Sequence, residues 1–283
     1  MDQQKHSFAH SITPQTRLFD LKLKEIWRYR DLLVLFVRRD FVAKYKQTIL
    51  GPAWFFIQPL FQTIMFTFIF GNVAGLSTDG APKGIFYLAG VTAWNYFANC
   101  LKTTSNVFTV NAALFGKVYF PRAVTPISIV ISNLIQFGIG MILFLLVYFY
   151  YIFLGSNIEP NIYLLLFPLL VVLMGVMGLG LGMLVSAMTT KYRDMQHLIQ
   201  FGVQLLMYAT PVVYPISAIP EKYQWIIMAN PMSGIIEAFK YGFLSTGSLN
   251  WGLLAYSTIF TILIFVFGLM VFNKTEKNFM DTV

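Results

Sequence analysis

Charged residues fall in a few short stretches, and between them run apolar segments of the length that lipid demands. A helix needs about 20 residues to cross a hydrocarbon core of roughly 30 Å. Residues 51–72, with the run GPAWFFIQPLFQTIMFTFIF, carry no charge and form a first span. The loop GNVAGLSTDGAPKG is dense in Gly, Pro and polar residues, so the chain turns there before IFYLAGVTAWNYFANCL, a second span that Lys102 closes. After KVYFPR the chain is free of charge from Ala123 to Ile158, longer than one crossing requires, so the third span is tilted or begins in the interface. Pro160 suits the first turn of a fourth span, in which Gly175, Gly178 and Gly182 form a small-residue stripe for close helix approach. The fifth, LIQFGVQLLMYATPVV, runs into Pro211, Pro215 and Pro220, which no straight helix could contain. Two short apolar pieces broken at Asn230 and Pro231 follow, each too short to cross, which predicts a pair dipping into one leaflet.

The pattern therefore predicts an all-α integral membrane protein. Six transmembrane helices are expected at about 51–72, 84–102, 123–154, 161–188, 197–214 and 251–272, with a re-entrant pair at about 215–245. A polar tail, 1–30, precedes one transmembrane domain, 31–283, that opens with an amphipathic helix at 31–47. Composition agrees: 57% of residues are hydrophobic and 11% charged, where soluble domains carry about a quarter charged. The tail lacks the early apolar core of a cleavable secretory signal, so the N-terminus is expected to stay as made.

Charge orients the spans. Ten of the 20 Lys and Arg precede Gly51, and Lys102, Lys117, Arg122, Lys191, Arg193, Lys274 and Lys277 fall on the same side; only Lys83, Lys222 and Lys240 lie opposite. The positive-inside rule then places both termini and the loops KVYFPR and KYRD in the cytoplasm. Topology thus accounts for the net charge of +8, and nucleic-acid binding loses its motive.

The helix at 31–47 carries Leu33, Val37, Phe41 and Tyr45 on one stripe, and Arg38, Arg39, Lys44 and Lys46 elsewhere. It lies along a membrane surface, where the basic residues either anchor topology or meet lipid phosphate. Two short loops, with Lys117, Pro121 and Arg122 in one and Tyr192, Arg193 and Asp194 in the other, are either charge anchors or knobs that dock on a soluble subunit. Catalytic chemistry is scarce. The Gly116, Lys117 pair lacks the remainder of GxxxxGK[ST], so no ATP site is expected, and His6, His10 and His197 form no metal-ligand set. Cys100, alone in an apolar stretch, reads as packing. No carboxylate falls in a proposed span, against a proton- or sodium-driven carrier. Glu237 and Lys240, three apart, are expected to pair with each other.

The runs AKYKQTILGPAWFFIQPL (43–60), GKVYFPRAVTP (116–126), YRD (192–194) and ATPVVYPISAIP through NPMSGIIEAFK (209–240) resemble type-2 ABC transporter permeases that export polysaccharides, above all O-antigen (Wzm-like) permeases. The resemblance runs from about Trp27 to the C-terminus. It implies a homodimer in the bacterial inner membrane, bound to two copies of a separate ATPase that holds the ATP and Mg, with no cofactor in this chain. It also implies a polymer on undecaprenyl pyrophosphate that passes between the two copies, the pyrophosphate drawn to Arg38, Arg39 and Arg122. By the same resemblance 31–47 is the interface helix, with Lys44 and Lys46. Tyr192, Arg193 and Asp194 couple to the ATPase, and Lys117, Phe120, Pro121 and Arg122 lie at the cytoplasmic entrance. Asn230, Pro231 and Glu237 belong to the segment that shapes the outer exit. Pyranose CH faces pack on aromatic rings, and Trp54, Phe55, Tyr208 and Tyr214 are the candidate channel aromatics. Capsular polysaccharide and teichoic acid are alternative cargoes, and a membrane-embedded glycosyltransferase is the rival class.

Overall fold

The computed structural model describes residues 23–279 apart from Tyr119, Asn157 and Arg193. Among these residues every regular element is helical, the arrangement that satisfies backbone groups in lipid within each segment. Two short helices, α1 (Leu23–Arg28) and α2 (Arg30–Tyr45), lead into a turn at Gly51, whose φ of +52° suits a residue without Cβ. Next comes α3 (Trp54–Phe66), extended by a π-helical turn at Thr67–Val73. Pro59 removes one rung of the α3 ladder. Lys83 donates to the Gly71 carbonyl at 2.6 Å and to Asn72 at 3.3 Å, closing the far end of that helix.

The chain continues through α4 (Lys83–Ser105), two single-turn helices α5 (Val107–Val110) and α6 (Ala112–Phe115), then α7 (Val124–Phe153). A 3-10 turn at Ile162–Leu166, capped by Asn161, starts α8 (Phe167–Lys191). The remaining helices are α9 (Met195–Tyr208), α10 (Glu221–Met228), α11 (Pro231–Leu244) and α12 (Trp251–Phe279).

Among the described residues four helices are long and apolar enough to cross a membrane: Gly51–Val73, Val124–Phe153, Ile162–Lys191 and Trp251–Glu276. Two of the six expected spans differ from these. The 23-residue α4 has the length, about 34 Å at 1.5 Å per residue, but Asn95, Asn99 and Lys102 lower its apolarity. The 14-residue α9 reaches only about 21 Å, because the chain leaves the helix after Tyr208 and turns through the prolines.

Buried nearly all round from Ile85 to Leu101, with Asn95 and Asn99 half-buried, α4 is the hub of the bundle. Glycines set how closely its neighbours approach. A Cβ on Gly178 would lie 2.7 Å from Cys100, and one on Gly182 2.5 Å from Thr104, so the small-residue stripe of α8 is the face that meets α4. On the other side of α8, Gly180 meets Gly268 of α12 backbone to backbone.

The break between α10 and α11 falls at Asn230, as the sequence predicts. Asn230 Oδ1 accepts from the Met232 amide at 3.0 Å, and its Nδ2 donates to Thr210 Oγ1 at 2.6 Å and to the Ala209 carbonyl at 3.1 Å. The expected Glu237 to Lys240 ion pair is absent among the described residues. Lys240 instead donates to the carbonyls of Pro211 at 2.6 Å and Val212 at 3.0 Å, and its ammonium sits 3.6 Å from the centre of the Phe86 ring. The proline stretch after α9 is not helical, so its carbonyls need donors from elsewhere. Lys240 supplies them.

A second apolar core gathers at the basic end of the bundle, where Ile26, Phe36, Phe108, Phe115 and Phe120 pack with Leu179, Leu269 and Phe272. Phe36 anchors α2 there, its ring edge-on to Phe120 at 5.6 Å. Leu33, Val37, Phe41 and Tyr45, the stripe expected to face lipid, are half-buried instead, and α2 packs along α7.

Candidate functional site

Two cavities share a wall at the basic end. The larger, about 650 Å³, lies between α3, α4 and α7. Its lining carries six amide side chains, Gln58, Gln62, Asn95, Asn99, Asn133 and Gln136, with Trp54, Phe55, Tyr96 and Phe137 between them. Helical spacing explains why they converge. Gln58 and Gln62 are one turn apart on α3, Asn95 and Asn99 on α4, and Asn133 and Gln136 on α7, so each pair projects from one face. Asn95 Nδ2 donates to Gln62 Oε1 at 3.3 Å, tying α4 to α3, and Tyr96 and Phe137 lie 4.9 Å apart. Thr92, also in the wall, has a buried hydroxyl without a hydrogen-bond partner. The sole charge on this lining is Lys44.

The second cavity, about 420 Å³, lies under α2 and is lined by Arg39, Asp40, Lys44, Lys102, Asn106, Asn111, Asn133 and Gln200 among others. Asp40 accepts from Arg39 Nε at 2.8 Å, and Arg39 also donates to Asn111 at 3.2 Å while lying 4.7 Å from the Phe36 ring centre. The Lys102 ammonium has no hydrogen-bond or ion-pair partner among the described residues. With one carboxylate against three cations, the vestibule is basic.

Lys44 and Asn133 line both spaces. The Lys44 ammonium donates to Asn133 Oδ1 and Gln136 Oε1, each at 3.0 Å. Asn133 in turn donates to Thr103 Oγ1 at 3.0 Å. The Lys44 side chain keeps open surface toward the cavities, yet its ammonium is screened from bulk water, and this desolvation pushes its pKa below the ordinary lysine value. A lysine lowered in this way holds its charge at some cost to folding, a cost that is full below its lowered pKa, shrinks as pH rises above it and vanishes only above the ordinary lysine value.

The other expected site residues are scattered around these cavities. Trp54 and Phe55 line the larger one, and Phe55 stacks on Phe41 of α2 at 5.5 Å. Tyr208 and Tyr214 lie outside it, joined to each other by a 2.6 Å bond from the Tyr214 hydroxyl to the Tyr208 carbonyl. Arg38, Lys46 and Lys117 are exposed. Phe120 is buried in the second core, next to half-buried Pro121. Arg122 donates to the Glu276 carbonyl at 2.6 Å and lies 5.5 Å from the Phe115 ring centre, fastening the 116–122 loop to α12. Tyr192 and Asp194 are exposed at the turn into α9, and Arg193 lies outside the described residues. Glu237 lines a third cavity, about 500 Å³, with Asp79, Ser217 and Asn250. Pro231 opens α11.

The amides and Lys102 are the residues that sequence reasoning missed. Their signal was present as pairs of amides three or four apart inside otherwise apolar runs, a polar face that lipid does not reward.

A family model described as ABC-2 type transporter matches residues 31–244. An O-antigen export system permease protein, RfbA, of Klebsiella pneumoniae is 28% identical over 251 residues, 89% of this chain and 94% of that one. A protein of the same name from Myxococcus xanthus is 28% identical over 220 residues, 77% and 82% of the two chains. The polysialic acid transport protein KpsM of Escherichia coli is 22% identical over 257 residues, 86% and 93%. Because the family's match takes in well over half of a chain that has four helices fit to cross lipid, this is a multi-pass membrane protein belonging to the ABC-2 type transporter family.

Proposed function

We propose that the chain is the transmembrane subunit of an ATP-driven exporter that moves polysaccharide linked to undecaprenyl pyrophosphate, with O-antigen as cargo, across the bacterial inner membrane. The observation that carries this reading is the amide-lined cavity. A sugar hydroxyl both donates and accepts, and so does a carboxamide; the flat CH faces of pyranose rings pack on Trp54, Phe55, Tyr96 and Phe137. The free Thr92 hydroxyl supports a ligand of the same kind. Buried carboxylates, which a cation-coupled carrier would use, are missing from this lining.

Energy then comes from separate ATPase subunits, which would hold ATP and Mg, since the chain has no phosphate-cradling run. In this reading α4 and α9 complete six crossings, and the basic end with both termini faces the cytoplasm. Two copies form the conduit. Tyr192, Arg193 and Asp194 are received by the ATPase, while Arg38 on α2 and Lys46 just after it meet lipid phosphate and the 116–122 loop borders the entrance. The α10 and α11 pair is re-entrant and shapes the exit. A capsular polysaccharide is the second reading, favoured by the likeness to KpsM.

Deleting the gene and restoring it tests the proposal. Surface polysaccharide should vanish while lipid-linked polymer accumulates inside, and both should revert on restoration. The purified chain should hydrolyse no ATP until its partner subunit is added. Unchanged surface polysaccharide, or hydrolysis by the chain alone, contradicts the reading.

A further inference from the structure

The two cavities at the basic end meet at Lys44 and Asn133, which line both, and the way Lys44 is held differs from a structural ion pair. Its ammonium bonds two neutral side-chain oxygens, Asn133 Oδ1 and Gln136 Oε1, each at 3.0 Å. Both acceptors sit on rotatable side chains, and Lys44 itself reaches them from α2, a separate element 89 and 92 residues earlier in the chain. On the vestibule side stand two further cations. Arg39 is satisfied by Asp40 and Asn111, whereas the Lys102 ammonium has no partner among the described residues. An anion entering there meets Arg39, Lys102 and Lys44, with Asp40 as the one opposing charge and that charge already engaged.

We propose that Lys44 is a latch between vestibule and amide cavity, released when a diphosphate group binds in the vestibule. The inference rests on the export reading and deepens it by naming what lets substrate into the cavity. Hydrogen bonds from an ammonium to an anionic oxygen are roughly twice as strong as bonds between neutral groups, and the anion adds a Coulomb attraction that carboxamide oxygens lack. The ammonium therefore turns to the diphosphate. Asn133 and Gln136 lose their donor and become free acceptors for the next occupant of the cavity, a sugar hydroxyl. Two consequences follow from one movement: the partition opens, and the amide wall is ready for the glycan that follows the head group. The α2 helix is freed from α7 at this point while Phe36 keeps it docked in the second core.

The test is accessibility, measured on the full chain with its ATPase partner in membrane vesicles whose basic end faces the medium. Asn95→Cys places a thiol in the amide cavity; the native Cys100 is fully buried, and the protein without the added thiol is the control for it. A membrane-impermeant charged maleimide should label position 95 slowly. Farnesyl diphosphate should raise the rate about tenfold, the effect of losing bonds to a charged donor. Inorganic pyrophosphate is the second arm: an equal rise shows that the diphosphate alone is sensed, and a smaller one that the prenyl chain contributes. With Lys44→Met added, labelling should be fast from the start and unresponsive to either probe, and Lys44→Arg should restore slow labelling and the response. Should Lys44→Met fail to insert, Asn133→Leu with Gln136→Leu removes the acceptors and should give the same fast, unresponsive labelling.

Equal labelling with and without Lys44, or a diphosphate response that survives its removal, overturns the latch. Surface polysaccharide in cells carrying the unsubstituted chain, compared with cells that lack it, separates this from the export reading. Export without a labelling response removes the latch alone, and a labelling response in cells whose surface polysaccharide never depended on the chain removes the export reading alone.

Discussion

Lys44 and Lys240 are both lysines enclosed by helices, and the structure treats them in opposite ways. Lys240 is 2% exposed, gives its protons to two backbone carbonyls and rests on the Phe86 ring. It lines none of the three cavities, and its acceptors, as backbone carbonyls, cannot rotate away. Lys44 adjoins two cavities and is held by carboxamides whose rotamers can change. The same functional group is a fixed pin at one end of the bundle and a movable one at the other. What differs is the acceptor: a carbonyl in a non-helical stretch must be satisfied permanently, whereas a carboxamide lining a wet cavity can exchange its donor for water or ligand.

Substitutions at the two lysines should separate these roles most widely. Lys240→Met leaves the Pro211 and Val212 carbonyls buried and unpaired, which at about 1–3 kcal/mol for each such group predicts a loss of roughly 2–6 kcal/mol. Heating purified protein and following the folded fraction by size exclusion checks this, and a melting point within a degree or two of the unsubstituted chain would erase the contrast. Gly268→Leu comes next. Its side chain would enter the Gly180 backbone, and overpacking of this kind typically costs about 1–3 kcal/mol, again read as a lower melting point. Asn230→Ala removes a helix cap worth about 1 kcal/mol together with the bonds to Thr210 and Ala209, so it should loosen the fixed end measurably and leave labelling at position 95 unchanged. Lys44→Met should be mildest, under about 1 kcal/mol for a partly solvated group whose acceptors can turn to water. It should nonetheless impair surface polysaccharide in cells, an effect the three structural variants would produce only through loss of folded protein.

How much of this the residues announced depends on the range of the interaction. The four apolar spans were legible because a charge-free run of lipid-crossing length has few other uses. Extending the fifth span to residue 214 was misleading: ATPVV is apolar because Thr210, Val212 and Val213 are buried in the core, not because the helix continues. The α2 helix was recognisable by its basic residues, but its anchor is Phe36, off the expected stripe, since the ring it packs on, Phe120, comes from a loop 84 residues later. The i, i+3 spacing of Glu237 and Lys240 suggested a local pair, and a stronger claim from carbonyls 28 and 29 residues earlier prevailed. Within the site, the amide pairs are written at helical spacing, but neutral carboxamides inside apolar runs do not stand out as charges do. The Lys44 contacts with α7 lie far beyond any local pattern.

In the export reading, glycan passes through the cavity between α3, α4 and α7. A photoreactive side chain in place of Asn95, illuminated in cells making the polymer, tests it most directly, with the outward-facing position of Phe149, which is 62% exposed, as the comparison. The account predicts adducts between the chain and lipid-linked polysaccharide from position 95 and none from position 149. Adducts in equal yield from both positions, or from neither while export continues, would contradict it.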